Sequence, residues 1–213
     1  MGEGGRYGRA NTGGGLTTVY IGRSFSSLSA FSERRRALIE HLRDHGLRTD
    51  GPFELRSGTV TSWYLDARQT TFDGGGALVV GAAVLEVLDE RVQAIGGMTQ
   101  GADPIAVAGA LLATQSGRPM RSFSIRKEVK GHGAGGRLVG PVGAGDGVAI
   151  LEDTTTTGGA LLEALDVAVL SGLQVLQVIA LVDRSGGVVQ DLVVGAGYPY
   201  LGLVTPVDLG VAE

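Results

Sequence analysis

A chain of 213 residues and 21.8 kDa can be served by one hydrophobic core, because cores grow to a few hundred residues before chains split. Its 18 Lys and Arg against 22 Asp and Glu leave a formal charge of -4, which excludes a general phosphate-backbone binder, so nucleic acid is not expected as a partner. Cysteine is absent, which excludes disulfides, thiolate metal sites and a cysteine nucleophile and leaves a reducing, cytoplasmic compartment as the expectation.

Residues 1–28 read as a flexible N-terminal tail, because glycine dominates the first 15 positions and apolar periodicity is absent. Residues 29–213 read as a single domain. From Ser29 to His45, Phe31, Leu38 and Leu42 fall on one helical face, with Gly46 as the stop. Phe53–Leu55 and Trp63–Leu65 are strand-like runs separated by Ser57, Gly58 and Thr59, and they predict a hairpin. A helix follows from Gly74–Gly76 to about Glu90. Val92–Ile95 predicts a strand, and Asp103 and Pro104 are the favoured N-cap and first residue of the next helix. Ser122–Arg126 is a further strand, and Lys127–Gly145 reads as a long glycine-rich loop. Gly147–Leu151, Gly158–Leu170 and Val175–Val182 then read as strand, helix and strand. Strands alternating with helices mean an α/β fold with a parallel sheet and ligands at the carboxyl ends of the strands. Sites are therefore expected just after residues 95, 126, 151 and 182. No apolar stretch reaches the roughly 20 residues of a membrane span, so no membrane partner is expected.

The sharpest chemical signal is VAILEDTTTTGGALLEAL, Val148 to Leu165. An apolar strand ends in Glu152 and Asp153, and Thr154, Thr155, Thr156, Thr157, Gly158, Gly159 and Ala160 lead into an apolar-periodic helix. Small hydroxyl residues and glycines at a helix N-terminus turn unpaired backbone N–H groups toward one point, where the helix dipole also favours a phosphate. The plainer alternative is that Thr157 caps the helix and the two acids are solvated. Two carboxylates beside an anion cradle would repel the phosphate unless they hold something else, such as vicinal sugar hydroxyls or a hydrated cation. The run lacks the G-x-G-x-x-G of dinucleotide sites and the Gly-Lys-Ser/Thr of P-loops. Arg126, Lys127, Lys130 and His132 place three fixed charges and an imidazole on the glycine-rich stretch. Alone they would read as solvated surface; opposite a phosphate cradle they read as an anion clamp. His41 and His45 sit four apart, a possible metal spacing, but without a third ligand nearby they read as surface residues.

The Val148–Leu165 run resembles the phosphoribosyl-pyrophosphate (PRPP) motif of type I phosphoribosyltransferases. Three more segments narrow the resemblance to orotate phosphoribosyltransferases: SFSIRKEVKGHG (Ser122–Gly133) is similar to that family's mobile catalytic loop, FELRSGTVTSWYLDAR (Phe53–Arg68) to its hairpin, and ALVDRSGG (Ala180–Gly187) to the strand end that touches orotate. GMTQGADPIAVAGALL and AGYPYLGL also fit. The resemblance implies a central, mostly parallel sheet flanked by helices under a small N-terminal hairpin hood. It implies the reaction of orotate with PRPP to give orotidine 5′-monophosphate and pyrophosphate in pyrimidine biosynthesis, with Mg2+. Lys127, Lys130, His132 and Asp153 would be catalytic. Arg56, Arg126, Lys127, Lys130, His132, Glu152 and Asp153, with Thr154–Ala160, would bind PRPP. Tyr64, Leu65, Thr156 and Arg184 would bind orotate. Mg2+ would have no direct protein ligand and would be held through PRPP, with Glu152 and Asp153 reaching it through water. A homodimer with shared active sites is implied. One departure is Gln100, where many members have lysine. A phosphoribosyltransferase for another base, or a silent PRPP sensor of the same fold, are the rival readings.

Overall fold

The computed structural model describes residues 25–54, 58, 60–130 and 136–211. Arg56 and His132, two of the expected site residues, lie outside the described residues, as does most of the expected tail.

Helix α1 (Phe25–His41) begins four residues before the expected Ser29 and leads into a single π-helical turn, Leu42–Gly46. That wider turn keeps Leu38 and Leu42 both fully buried while it brings Gly46 against Asp66, whose N–H donates to the Gly46 carbonyl at 3.0 Å. Four two-residue strands follow: β1 (Leu47–Arg48), β2 (Phe53–Glu54), β3 (Val60–Thr61) and β4 (Tyr64–Leu65). The expected hairpin is corrected here. Phe53 pairs with Thr61 and Glu54 with Val60, whereas Tyr64 and Leu65 turn back to Arg48 and Leu47. Val60 and Thr61 already occupy the positions opposite β2, so residues 63–65 pair elsewhere.

Helix α2 (Arg68–Thr71) precedes α3 (Gly74–Val87), whose N-terminus is capped by Asp73 Oδ2 accepting from the Gly76 N–H at 2.8 Å. Then come β5 (Ala94–Met98) and α4 (Ala102–Gln115). Helix α4 starts one residue before Asp103, so Asp103 and Pro104 occupy its first turn and Gly101 is the N-cap, a shift of the expected cap. The remaining elements are β6 (Arg121–Lys130), β7 (Gly136–Val139), β8 (Gly147–Thr155), α5 (Gly159–Leu170), β9 (Gln174–Asp183), α6 (Val188–Gly195) and β10 (Tyr200–Val204).

The main sheet has the order β10-β9-β8-β5-β6-β7, parallel throughout except for the antiparallel β6/β7 pair. Successive residues of its strands feed opposite faces. Leu151, Ile179 and Leu181 pack with Leu38, Val80 and Ile105 on one side, and Ile150, Val178 and Ala180 pack with Leu161, Leu165 and Val189 on the other. Helices therefore cover both faces, which is the expected mostly parallel α/β layering. Among the described residues no helix is long and apolar enough to cross a membrane.

The expected long loop Lys127–Gly145 is the second correction. Strand β6 runs on to Lys130 and the chain returns as β7, with Ser124 opposite Val139, Ile125 opposite Leu138 and Lys130 opposite Gly136. A backbone ladder takes up residues 127–130 and 136–139 of the expected loop, because ladder bonds are indifferent to the glycine-rich side-chain pattern that suggested it, while residues 140–145 remain irregular and 131–135 lie outside the described residues.

Candidate active site

The carboxyl ends of β5, β6, β8 and β9 meet where a doubly wound sheet places ligands. Strand β8 ends in Glu152, Asp153, Thr154 and Thr155, and α5 begins only at Gly159. Gly158 bridges them at φ +79, a left-handed conformation suited to glycine, and it is the N-cap with no side-chain hydrogen bond. Thr157 is thus not the cap, and the first N–H groups of α5 are left for a ligand. Glu152 and residues Thr154–Leu161 line a cavity of about 110 Å3 there. Thr155 is buried, while Thr156 and Thr157 are exposed.

Behind this cradle stands the acidic pair. Glu152 is 8% exposed and its Oε2 is buried without a hydrogen-bond partner. Burial, then the charge and hydrogen bond of Asp153, push its carboxyl from an ordinary 4.5 up to about 8, against the pull of the Lys127 ammonium. Lys127 on the arm therefore acts on Glu152 at the sheet edge. Asp153 Oδ1 accepts the Thr154 N–H at 2.6 Å and faces Gly101, where a Cβ would come within 2.8 Å of that oxygen. A side chain there would displace the carboxylate, which makes Gly101 part of the site's geometry. The same turn carries Gln100, exposed at the end of β5. Thr99 fixes it: its hydroxyl donates to Asp103 Oδ2 at 2.7 Å and its N–H to the Ile125 carbonyl at 2.9 Å.

The β6/β7 arm carries the cations. Its register shifts between Ile125 and Lys130, so Arg126 and Lys127 sit in an irregular stretch of the kind that re-aims side chains beside sites. Arg137 of β7 locks the root of the arm. Its Nε donates to the Arg126 carbonyl at 2.6 Å, and its Nη2 pairs with Glu163 of α5 at 2.5 Å.

At the end of β9, the Arg184 N–H donates to the Thr155 carbonyl at 2.8 Å, which ties Arg184 to the threonine run. Its guanidinium carbon lies 4.1 Å from the centroid of the Trp63 ring. Tyr64 is half-buried with its ring 5.9 Å from that of Phe53, whereas the Leu65 side chain belongs to the core, so only its backbone could face a ligand.

The structure thus gathers Lys127, Glu152, Asp153, Thr154–Ala160 and Arg184 around one mouth, and it places the backbone of Lys130 in the arm. Sequence reasoning missed Gly101, Trp63 and Arg137. Gly101, in GADP, was legible as a small residue at a helix start; the other two act through partners distant in sequence. A larger cavity of about 280 Å3, lined by Asp183, Tyr200 and Thr205 among others, has a carboxylate already committed: Asp183 accepts from the Tyr200 hydroxyl and the Ser185 N–H, both at 2.8 Å. Among the described residues no group of three His, Cys, Asp or Glu could hold a metal ion.

Comparison with known proteins gives a consistent result. No family model matches the chain. The chain is 38% identical over 167 residues to the orotate phosphoribosyltransferase of Streptomyces avermitilis, covering 78% of this chain and 91% of that one. To the orotate phosphoribosyltransferase of Aquifex aeolicus it is 42% identical over 136 residues, 63% of this chain and 74% of that one. Among solved structures, the Mycobacterium tuberculosis orotate phosphoribosyltransferase superposes with a TM-score of 0.73 at 31% identity, covering 84% of this chain and 99% of that one. A second structure of that mycobacterial protein, in complex with PRPP, matches with a TM-score of 0.68 at 28% identity over the same shares.

Proposed function

The chain belongs to the orotate phosphoribosyltransferase family, and we propose that the acidic pair, the Thr154–Ala160 cradle, the arm and Arg184 are the parts with which it transfers 5-phosphoribosyl from PRPP to orotate. The observation that carries this assignment is the buried Glu152 carboxyl beside Asp153, one of whose oxygens, Oε2, has no hydrogen-bond partner, directly behind a helix N-terminus that no side chain caps.

In this reading the N–H groups at the start of α5 and the hydroxyls of Thr154–Thr157 hold the 5′-phosphate, with Gly158, Gly159 and Ala160 allowing close approach. Asp153 and Glu152 accept hydrogen bonds from the ribose hydroxyls. The donor set fits a hydrated divalent cation: two adjacent carboxylates, one with an orphaned oxygen, and no third protein ligand among the described residues. Mg2+ would be held through PRPP oxygens, with Glu152 and Asp153 reaching it through water, and it would neutralise charge on the pyrophosphate. Arg126, Lys127 and Lys130, with His132 and Arg56 as the remaining candidates, stabilise the pyrophosphate as the C1′–O bond breaks and charge accumulates on it. Closure of the arm excludes water from the cation-like ribose. Orotate N1 then bonds to C1′, its proton passing to the departing pyrophosphate; no protein nucleophile takes part. Arg184 pairs with the anionic pyrimidine through its planar fork, beside Tyr64, the Leu65 backbone and Thr156. Gln100 leaves one cation fewer at the pyrophosphate. The working assembly is a cytoplasmic homodimer that shares its sites, and the domain comprises residues 29–213.

Asp153→Asn tests the assignment. The amide keeps the shape and removes the charge, so we expect a folded protein whose turnover falls by at least about a hundredfold. Turnover within about twofold of the parent would return the acids to solvated surface.

A further inference from the structure

Arg184 lies at the junction of hood and sheet. Its backbone is fixed to the Thr155 carbonyl, and the group packed on its guanidinium is the indole of Trp63, itself only 7% exposed. Its Nε–H is buried without a hydrogen-bond partner. Burial lowers its pKa from the ordinary arginine value, the Tyr64 hydroxyl opposing that shift.

The choice of an aromatic neighbour has a chemical consequence. A carboxylate would order the guanidinium by occupying its fork and cancelling its charge. A ring face orders it through the perpendicular direction, consumes no N–H and leaves the charge in place. It also removes water from one side, which strengthens whatever ion pair forms in the plane.

We infer that Trp63 is a positioning residue for Arg184: its indole holds the guanidinium in one orientation and leaves the in-plane donors, Nε–H among them, for the carboxylate-bearing pyrimidine. The inference rests on the assignment of Arg184 to the orotate site. Without the ring, the freed side chain must be ordered by the substrate itself, and that cost falls on orotate affinity alone.

Trp63→Leu and Trp63→Phe, measured beside Arg184→Met, test it. Trp63→Leu should raise the orotate KM about tenfold, equivalent to about 1.4 kcal/mol, and leave the PRPP KM within about twofold. Trp63→Phe retains an aromatic face and should recover most of the loss. Trp63 is the chain's one tryptophan, so the parent protein supplies a readout independent of any Trp63 variant: orotate should change its emission, and Arg184→Met should abolish that change. An unchanged orotate KM in Trp63→Leu, an equal rise in both KM values, a Phe variant no better than Leu, or a parent emission indifferent to saturating orotate would each overturn the inference. If Arg184→Met raises the orotate KM while the Trp63 variants do not, only the role of Trp63 fails. If Arg184→Met leaves the orotate KM unchanged, the orotate assignment fails with it.

Discussion

Glu152 concentrates the electrostatics of the site in one carboxyl. Its folded value of about 8 lies above the ordinary 4.5, so below about pH 4.5 both folded and unfolded states hold the proton and nothing is lost. Between the two values the unfolded chain ionises while the folded one keeps its proton, so stability falls as pH rises; above about pH 8 the loss is complete. Glu152→Gln cannot ionise. In thermal unfolding without ligands, the variant should gain on the parent by a margin that widens from about pH 4.5 to about pH 8 and then stays level. A margin independent of pH would mean that Glu152 is not held protonated by its surroundings. The same site illustrates what was readable in advance. Val148–Leu165 carries strand end, acids, hydroxyls and glycines in one contiguous stretch, so spacing alone exposed it. The closeness of Gly101 to Asp153 needs two strands to be laid side by side, and no local pattern encodes that.

At the scale of elements, the arm is where the sequence misled and where the structure is most specific. Seven glycines between Lys127 and Gly145 read as a loop, yet strand pairing is set by backbone bonds between distant residues such as Ser124 and Val139. The hairpin failed for a related reason: Tyr64 and Leu65 had the right side chains for a partner strand, but the partner was Leu47–Arg48. Arg137 joins the arm to α5, the helix whose N-terminus forms the cradle, and hydrogen bonds to charged groups contribute about 1.5–3 kcal/mol. Arg137→Ala should therefore leave the sheet folded, speed amide hydrogen exchange in β6 beyond Ile125 and in β7, and raise the PRPP KM about tenfold. Unchanged exchange in both strands would show that the arm is held by its ladder alone.

For the whole molecule, alternating strands and helices were enough to give the parallel sheet and the edge at which the site lies, because both follow from right-handed crossovers and strand direction rather than from side-chain detail. Whether two copies share a site depends on surfaces that periodicity does not describe. In a symmetric dimer with shared sites, Lys130→Ala damages the arm and Asp153→Asn damages the pocket, and each homodimer should be nearly inactive. A mixed dimer places both damaged parts in one site and leaves the other intact, so subunit exchange should restore activity. Verified mixed dimers that stay as inactive as their parents would show that each arm serves its own chain.

The central claim is that this chain joins orotate to the ribose of PRPP. Its most direct test is the parent protein incubated with PRPP, Mg2+ and, in separate reactions, orotate, uracil, adenine, guanine and hypoxanthine, with nucleotide and pyrophosphate both quantified. The account expects orotidine 5′-monophosphate and pyrophosphate in equal amounts from orotate, and at least about a hundredfold less product from any other base. Faster turnover of another base, or PRPP bound with no transfer to orotate, would contradict it.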